Sequence, residues 1–374
     1  MTNPLKKLAE LGQSVWYDYI RRDLYQGGEL RRLIEEDGLS GMTSNPTIFQ
    51  KAIAETDLYD GSIRTLSGRG VSGAALFEAL EVEDVRAAAD VFRPVFDRTK
   101  GDDGFVSIEV NPALSHDTEG TVAEARRLWR ACDRPNVMVK IPGTTEGVPA
   151  IRAALAEGIN INITLLFSVA RHREVMEAYL SALESRVAAG QPVDRIRSVA
   201  SFFVSRVDTL VDKKLDALAG SGPEERRKQA RALRGKVAIA NARLAYEAFE
   251  QTFGADRFRA LAAKGARRQR PLWASTSTKD PAYAPLYYVE ALVAPDSVDT
   301  MPPDTYARYA KEGQPKVRIH DDLEGARESF RALAALGIDA SQVAADLEKD
   351  GEQKFVASFE QVVKAVEEKT KVVA

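Results

Sequence analysis

A lysine inside an apolar run is the residue of this sequence whose position most strongly indicates covalent chemistry. Lys140 lies in the run Val137–Ile141, immediately before a Pro-Gly turn. Burial in such a run disfavours the ammonium form, and the neutral amine is the form that attacks a carbonyl carbon. The alternative is a lysine whose charged end reaches solvent past the turn. The choice between a buried nucleophile and a solvent-exposed lysine depends on which polar residues lie at the ends of the other strand-like runs.

Polar side chains occur at the ends of further strand-like runs. Two are carboxylates, Asp18 in Trp-Tyr-Asp-Tyr-Ile and Glu109 in Val-Ser-Ile-Glu-Val. The others are Asn45, Asn160, Asn162, Thr164, Ser201 and Arg206, and the aromatic Phe203 lies between the last two. The two-residue repeat of a strand predicts that Asn160, Asn162 and Thr164 share one face. An amine that attacks, a carboxylate that moves protons and amides that hold hydroxyls are the groups that Schiff-base chemistry on a sugar requires.

Each of these residues alone also has a structural explanation. Glu109 is able to pair with a structural cation, and Asn45-Pro46 is a common turn sequence. The Asn-x-Asn-x-Thr face is compatible with a polar layer inside a barrel. It is their combination with Lys140 that favours a catalytic site.

Strand-like runs alternate with longer helical segments along the chain. The runs are Ser14–Ile20, Gly41–Ser44, Phe105–Val110, Val137–Ile141, Ile159–Leu166, Ile196–Phe203, Pro271–Ser275 and Asp296–Met301. Eight β/α alternations predict parallel strands with helical crossovers, most economically an α/β fold of the (β/α)8 TIM-barrel type. A doubly wound open sheet is the alternative, although no Gly-x-Gly-x-x-Gly motif follows an early strand.

The whole chain, 1–374, is predicted to form a single barrel domain with helical additions. Helical insertions are expected at 56–100 and 207–264, and a helical C-terminal segment at 302–374. Within the second insertion, Pro223-Glu224-Glu225 predicts the start of a helix, because proline and acidic residues favour the first turn. No linker or low-complexity stretch divides the chain.

Charge and composition exclude several classes of partner. The formal net charge is −3, which argues against a nucleic-acid or anionic membrane surface. The basic run at 264–270 is interpreted as an exposed loop. The three histidines, His116, His172 and His320, are not at metal-ligand spacing, so neither a metal nor another cofactor is expected.

The cysteine content indicates a reducing compartment. The single cysteine, Cys132, allows no internal disulfide. The N-terminal residues contain no apolar segment of a secretory signal, and no apolar run reaches the length of a membrane span. The expected location is the cytoplasm.

Five groups of motifs together resemble the transaldolase family. They are Thr43–Phe49, Ser107–Val110 with Leu114–Thr118, Val139–Pro142, Gly158–Ser168 and Gln269–Ser275, in the family's order over most of the chain. The run Ser297–Pro303 and the chain length are similar to the longer, bacterial type of the family.

The resemblance implies a cofactor-free class I reaction of the pentose phosphate pathway. A dihydroxyacetone unit would pass from sedoheptulose 7-phosphate or fructose 6-phosphate to glyceraldehyde 3-phosphate or erythrose 4-phosphate. Lys140 would form the Schiff base, and Asp18 would exchange the hydroxyl proton during carbon–carbon cleavage. Glu109, through a water held with Thr164, would help to dehydrate the carbinolamine.

The resemblance also implies the residues that bind the substrate. Asn45 and Asn162 would hold the hydroxyls of the dihydroxyacetone unit, while Ser201 and Phe203 would line the site. All four follow from the family's motifs rather than from their spacing.

The phosphate-binding residues depart in part from the family's pattern. Arg206 matches the phosphate-binding arginine, for which the alternative is an exposed position at a helix start. Ser275 also matches, but Ser277 stands where the family has a second arginine. We expect Lys279 to supply the missing charge.

Two other functions remain open from the sequence. One is a class I aldolase that uses free dihydroxyacetone on the same barrel, which Asp18 and the long insertions disfavour. The other is a catalytically silent barrel that binds sugar phosphates, or a protein partner through its two insertions. The presence of every expected catalytic side chain argues against the second.

Overall fold

The computed structural model describes residues 3–373. Within them, eight parallel strands close into a barrel in which β1 pairs with both β2 and β8. The strands are β1 (Gln13–Asp18), β2 (Gly41–Thr43), β3 (Phe105–Glu109), β4 (Val137–Pro142), β5 (Ile161–Leu166), β6 (Ser198–Phe203), β7 (Arg270–Ala274) and β8 (Ser297–Met301). The predicted (β/α)8 barrel is confirmed, and closure of the sheet rules out the doubly wound alternative.

The strands are buried on both faces. Every residue of β4 and β5 is buried, and valine, isoleucine and leucine predominate there. This is typical of parallel strands, because helices cover their outer face and side chains fill the barrel on the inner face. Lys140 of β4 and Asn162 of β5 are therefore polar side chains that the strands themselves place in a buried environment.

Helices follow the strands and cover the outside of the barrel. In chain order they are α1 (Pro4–Glu10), α2 (Arg22–Gln26), α3 (Glu29–Arg32), α4 (Pro46–Glu55), α5 (Asp60–Ser67), α6 (Gly73–Arg98), α7 (Thr118–Cys132), α8 (Gly147–Ala156), α9 (Val169–Ala188), α10 (Ser205–Ala219), α11 (Glu224–Leu233), α12 (Val237–Gly254), α13 (Asp256–Ala262), α14 (Tyr287–Ala291), α15 (Pro303–Glu312), α16 (Leu323–Ala335) and α17 (Ala340–Val373). A π-helical turn at Leu33–Asp37 and a 3-10 turn at Pro112–Leu114 complete the helical structure of the described residues. No helix within 3–373 is long and apolar enough to cross a membrane.

Side-chain caps fix where helices begin after the strands. The Asn45 side chain accepts a 3.2 Å hydrogen bond from the backbone N–H of Ile48 at the start of α4, where Pro46 occupies the first turn. Ser168 accepts in the same way from Arg171 at the start of α9. Such caps satisfy backbone donors that the helix leaves free, and they fix the path of the loop at the carboxyl end of the barrel.

The long segments between and after the strands are largely helical. Segment 56–100 contains α5 and α6, and segment 207–264 contains most of α10 together with α11, α12 and α13. α11 begins at Glu224, with Pro223 at its N-cap position. Beyond Pro302, α15, α16 and α17 are separated by non-helical residues at 313–322 and 336–339.

Strand β5 differs from regular alternation at both ends. It begins at Ile161, and the preceding Asn160 donates to the Pro135 carbonyl (3.1 Å) and accepts from the Arg197 N–H (2.9 Å). Near the other end, Leu165 has φ of +60° and the register with β6 shifts. Asn160 thus supports the amino end of the barrel, while Asn162 and Thr164 lie further along the strand.

The basic run 264–270 is exposed only in part, which corrects its interpretation as a solvated loop. Arg267 and Arg268 have half-exposed side chains. Arg270, by contrast, is the first residue of β7 and its side chain is only 18% exposed. Its guanidinium donates to the carbonyls of Asp102 (3.0 Å) and Ser297 (2.7 Å), because the strand carries it into the barrel.

Candidate active site

A cavity of about 240 Å³ lies at the carboxyl ends of the strands. Its lining includes Asp18, Thr43, Asn45, Lys140, Thr164, Ser201, Phe203, Arg206, Ser275, Ser277, Lys279, Thr300 and Phe355. The predicted site residues are among them except Glu109, Asn162 and Asn160. Glu109 and Asn162 are neighbours of Lys140 on the adjoining strands, whereas Asn160 lies at the amino end of the barrel. This is the end of the barrel at which TIM-barrel enzymes carry their chemistry.

Lys140 and Glu109 form a buried pair. Their strands place them in register, and Nζ of Lys140 lies 3.2 Å from Oε2 of Glu109. The two side chains are 8% and 5% exposed. Nζ also donates to the carbonyl of Ser44 at 3.3 Å. Burial raises the pKa of the Glu109 carboxyl, while the charge and hydrogen bond of Lys140 act in the opposite direction. An amine and a carboxyl therefore face each other away from bulk water.

Asp18 ends β1 on another side of the cavity. Its Oδ1 accepts a 2.8 Å hydrogen bond from Thr43 Oγ1, which in turn lies 2.7 Å from Thr300 Oγ1. Burial raises the pKa of Asp18, whereas the charge of Lys140 and the Thr43 hydrogen bond lower it. Asp18 is thus a carboxyl held in one orientation and suited to gain or lose a proton.

Asn162 lies beside Lys140 on the adjoining strand, and both ends of its side-chain amide are hydrogen-bonded. Its amide donates to Ser107 Oγ (2.9 Å), and its carbonyl oxygen accepts from Ser201 Oγ (2.7 Å). Two residues further on, the Thr164 hydroxyl lines the cavity and has no hydrogen-bond partner among residues 3–373. Asn162 is therefore fixed by its neighbours, while the Thr164 hydroxyl remains free to bond a molecule in the cavity.

Positive charge collects on the side of the cavity formed by α10 and the segment after β7. Arg206 lies in the first turn of α10, with its guanidinium carbon 5.1 Å from the Phe203 ring centroid. Its Nη1 has no hydrogen-bond partner within 3–373. Lys279 lines the same cavity and donates to Ser277 Oγ at 2.9 Å. An arginine fork and an ammonium group in one cavity suit a phosphate dianion.

The segment after β7 has a strained backbone. Ser275 has φ of +57°, a conformation that non-glycine residues seldom adopt. Its hydroxyl lies 2.9 Å from Ser205 Oγ, and its carbonyl accepts from the Ser205 N–H at 3.0 Å. These two bonds join the segment to the start of α10, and so fix Ser275 next to Arg206.

Sequence reasoning missed three lining residues. Thr43 and Thr300 form a chain of hydroxyl groups that leads to Asp18. Thr43 is the first residue of the motif Thr43–Phe49, but that motif assigned no role to its side chain. Phe355 comes from α17, and its ring centroid lies 5.3 Å from Nζ of Lys140. No local sequence pattern around Phe355 indicates that it returns to the barrel.

Helix α17 is attached across the carboxyl end of the barrel. Glu352 forms a 2.9 Å ion pair with Nε2 of His116, in the segment after β3. Ser358 accepts from Thr47 of α4 at 2.9 Å. Gly351 lies so close to β5 that an added Cβ would be 2.8 Å from Leu165 Cδ2. The helix therefore forms one wall of the cavity.

The arrangement as a whole suits addition of an amine to a carbonyl compound that carries an anionic group. The buried Lys140 amine contacts the Glu109 carboxyl. The Asp18 carboxyl and the cationic side chains of Arg206 and Lys279 line the same cavity. Within the described residues, no three His, Cys, Asp or Glu side chains are grouped to hold a metal ion.

The sequence was also compared with known proteins. A family model described as Transaldolase/Fructose-6-phosphate aldolase matches residues 15–366. The transaldolase of Thermobifida fusca is 51% identical over 369 residues, which cover 98% of each chain. That of Frankia alni is 50% identical over 366 residues, covering 97% of this chain and 96% of its own. That of Mycobacterium leprae (strain Br4923) is 47% identical over 378 residues, covering 100% of this chain and 98% of its own.

Proposed function

The chain belongs to the transaldolase/fructose-6-phosphate aldolase family, and on that premise we propose that it transfers a dihydroxyacetone unit between sugar phosphates through a Schiff base on Lys140. It is an enzyme of the transferase class with the transaldolase activity of its relatives. The donor is sedoheptulose 7-phosphate or fructose 6-phosphate, and the acceptor is glyceraldehyde 3-phosphate or erythrose 4-phosphate. These are substrates of the pentose phosphate pathway.

One observation carries the assignment of the nucleophile. Nζ of Lys140 lies 3.2 Å from a Glu109 carboxyl oxygen, in the wall of a cavity that Asp18 and Arg206 also line. The geometry supports nucleophilic attack inside a site with little water.

The first half of the reaction forms the Schiff base. Nζ of Lys140, as the neutral amine, adds to C2 of the ketose phosphate. The carbinolamine hydroxyl then leaves as water, with the proton supplied from Glu109 through a water that Thr164 holds. Burial raises the pKa of Glu109, which favours this role because a raised pKa makes a carboxyl easier to protonate. The resulting iminium group accepts electrons from the adjacent carbon.

The second half breaks and remakes a carbon–carbon bond. Asp18 takes the proton of the C4 hydroxyl, the C3–C4 bond breaks, and its electron pair moves into an enamine on Lys140. The aldose phosphate leaves and an acceptor aldose phosphate binds. The enamine attacks the aldehyde carbon, Asp18 returns the proton to the new hydroxyl, and water releases the product ketose.

Binding and location complete the proposal. Asn45 and Asn162 hold the dihydroxyacetone hydroxyls, Ser201 and Phe203 shape the cavity, and Arg206, Ser275 and Lys279 bind the phosphate group. Asn162 is paired with Lys140 on the adjoining strand. Its amide donates one hydrogen to Ser107 and keeps the other for the substrate hydroxyl. We propose the cytoplasm as the location, which the absence of any possible internal disulfide supports.

A donor-exchange assay tests the function. The full chain is supplied with fructose 6-phosphate and erythrose 4-phosphate, and sedoheptulose 7-phosphate and glyceraldehyde 3-phosphate are measured. We expect transfer by the wild type and none by Lys140→Arg, which keeps the positive charge beside Glu109 but forms no Schiff base. In the same assay free dihydroxyacetone should be a poor donor.

Two results would contradict the proposal. Use of free dihydroxyacetone as efficiently as the ketose phosphate would favour the aldolase alternative. Absence of turnover on either ketose phosphate, by a protein whose circular dichroism is that of a folded barrel, would favour the silent barrel.

A further inference from the structure

A second and larger cavity lies at the opposite end of the barrel. It measures about 680 Å³, which falls in the range of small-molecule sites. Gln13, Ser14, Ser198 and Arg270, from the first residues of three strands, line it. The active-site cavity, in contrast, is lined by residues at the carboxyl ends of the strands.

The two cavities share strands but no residues. On β1, Trp16 lines the amino-end cavity and Asp18 the active-site cavity. On β4 the corresponding residues are Met138 and Lys140. Because strand side chains on one face recur every second residue, these pairs are successive layers of the same barrel interior. The amino-end cavity is therefore separate from the catalytic cavity and is not an extension of it.

The lining of the amino-end cavity carries an excess of positive charge. Five arginines line it, Arg98, Arg197, Arg267, Arg268 and Arg270, against three aspartates, Asp102, Asp103 and Asp296. A single Asp102 carboxylate serves both Arg197 (3.1 Å) and Arg267 (3.4 Å). Arg98 is exposed and has no carboxylate partner among residues 3–373. The protein's own acids thus leave two positive charges uncompensated, in a chain whose net charge is negative.

Two of these arginines keep unused donors in buried positions. The Arg197 side chain is 8% exposed, and its Nε has no acceptor within the described chain. The Nε of Arg270 likewise has none there. A buried guanidinium donor without an acceptor is costly, and such groups in a structure need an explanation. These two Nε atoms are closed to solvent, so an anion bound in the cavity would compensate the charge of the guanidiniums and would reach Nε only after a shift of the side chain.

Apolar side chains also line the cavity, beside the charged and polar ones. Leu39, Val95, Phe105 and Phe258 are buried and belong to this lining. A cavity that combines charged groups with apolar side chains suits an organic ligand better than an inorganic ion. We propose that the amino-end cavity binds a phosphorylated organic anion, whose phosphate meets the arginines and whose remaining part contacts the apolar side chains.

Adenosine 5′-monophosphate is a suitable probe, with inorganic phosphate beside it, in isothermal titration of the full chain. Four variants are informative. Arg98→Ala/Arg267→Ala/Arg268→Ala removes charge from exposed positions, and Ala9→Trp fills the cavity from its exposed rim without a change of charge. Arg206→Ala/Lys279→Ala removes the phosphate-binding residues of the active site. Arg69→Ala, an exposed arginine outside both cavities, controls for general electrostatics.

We expect the wild type to bind the nucleotide. Both the triple arginine variant and Ala9→Trp should raise its dissociation constant by about tenfold or more. The first loses charge-assisted hydrogen bonds, and the second loses the space that the nucleotide would occupy. The active-site double variant and Arg69→Ala should bind as the wild type does. Unchanged melting temperatures would show that the variants are folded.

Three outcomes would overturn the proposal. The first is no nucleotide binding by the wild type at concentrations up to about 10 mM, at which even weak sites fill. The second is binding that the active-site double variant loses and the cavity variants keep. The third is binding of inorganic phosphate alone, which would leave the apolar wall without a ligand. In the first two cases the arginines would be purely structural, and in the third they would bind only an inorganic ion.

Discussion

Nζ of Lys140 lies 5.3 Å from the ring centroid of Phe355, although one residue is in the fourth strand and the other in the last helix. An aromatic face at this distance attracts a cation, and it occupies space that water would otherwise fill. The iminium group of a Schiff base on Lys140 is such a cation. Helix α17 therefore contributes directly to the environment of the Lys140 amine.

The first prediction concerns water exclusion by Phe355. In Phe355→Ala, water reaches the enamine and iminium intermediates more easily, so more of the dihydroxyacetone unit should be released as free dihydroxyacetone instead of being transferred. The ratio of free dihydroxyacetone to transfer product, with fructose 6-phosphate as donor, measures the effect. We expect the ratio to rise by about tenfold, a barrier change of about 1.4 kcal/mol.

Phe359 provides a matched control for Phe355. It lies one turn further along α17, with its ring centroid 5.7 Å from that of Phe77 and outside the cavity. Phe359→Ala should lower stability but leave the partition ratio unchanged. Equal ratios in the Phe355 and Phe359 variants would show that the ring near Lys140 does not exclude water.

The second prediction concerns the close approach of α17 to β5. In Gly351→Ala the new methyl group would lie 2.8 Å from Leu165 Cδ2, in a buried contact, so the Leu165 side chain, the helix or the strand must shift. We expect a loss of about 1–3 kcal/mol in the free energy of unfolding, typical of overpacking, and reduced kcat/KM. Gly61→Ala, in an open position of α5, should instead be about 0.5–1 kcal/mol more stable. Urea denaturation gives both values, and a stabilised Gly351→Ala would refute the contact.

The third prediction concerns the pH dependence of Asp18. Burial raises its pKa, and as a base it acts only when ionised, so activity falls as the pH drops through that raised value. Thr43→Val removes the hydrogen bond that favours the ionised form. The acidic limb of kcat/KM should therefore move to higher pH by about one unit, the equivalent of one hydrogen bond to a charged group.

Thr43→Ser is the corresponding rescue variant, because it keeps the hydroxyl. Its pH profile should coincide with that of the wild type. An acidic limb that stays in place in Thr43→Val would mean that Asp18 does not set it.

The fourth prediction concerns the phosphate group. Arg206→Ala should raise KM for fructose 6-phosphate by about a hundredfold, since a buried charge-assisted pair is lost, and Lys279→Ala by about tenfold. Neither should change KM for the unphosphorylated acceptor glyceraldehyde. Lys228→Ala, an exposed lysine on α11, serves as the control. If Lys279→Ala left KM for phosphorylated and unphosphorylated acceptors equally unchanged, Lys279 would not replace the family's second arginine.

The strands and the buried position of Lys140 were predictable because their signals are local. Short apolar runs between helical segments indicated all the strands of the described chain, and the structure places Lys140 in the wall of the cavity, beside Glu109. The ends of strands were less certain, since alternation does not show where pairing stops. Ile159 and Ile196 were placed in strands that begin at Ile161 and Ser198.

The parts that the sequence did not reveal depend on contacts between distant segments. Phe355 returns to the barrel only because α17 packs across α4 and β5, and no pattern near Phe355 specifies that path. Arg270 looked like part of an exposed basic loop. Its true position depends on β7 beginning at that residue, which turns its side chain into the barrel.

The most direct test of the proposed mechanism is covalent trapping of the Schiff base. The protein is incubated with fructose 6-phosphate, reduced with borohydride and digested, and the peptides are analysed by mass spectrometry, with Lys140→Ala as control. We predict that the reduced dihydroxyacetone adduct is found on Lys140 and is lost in the variant. An adduct on another lysine, or none at all, would contradict the assignment of Lys140 as the nucleophile.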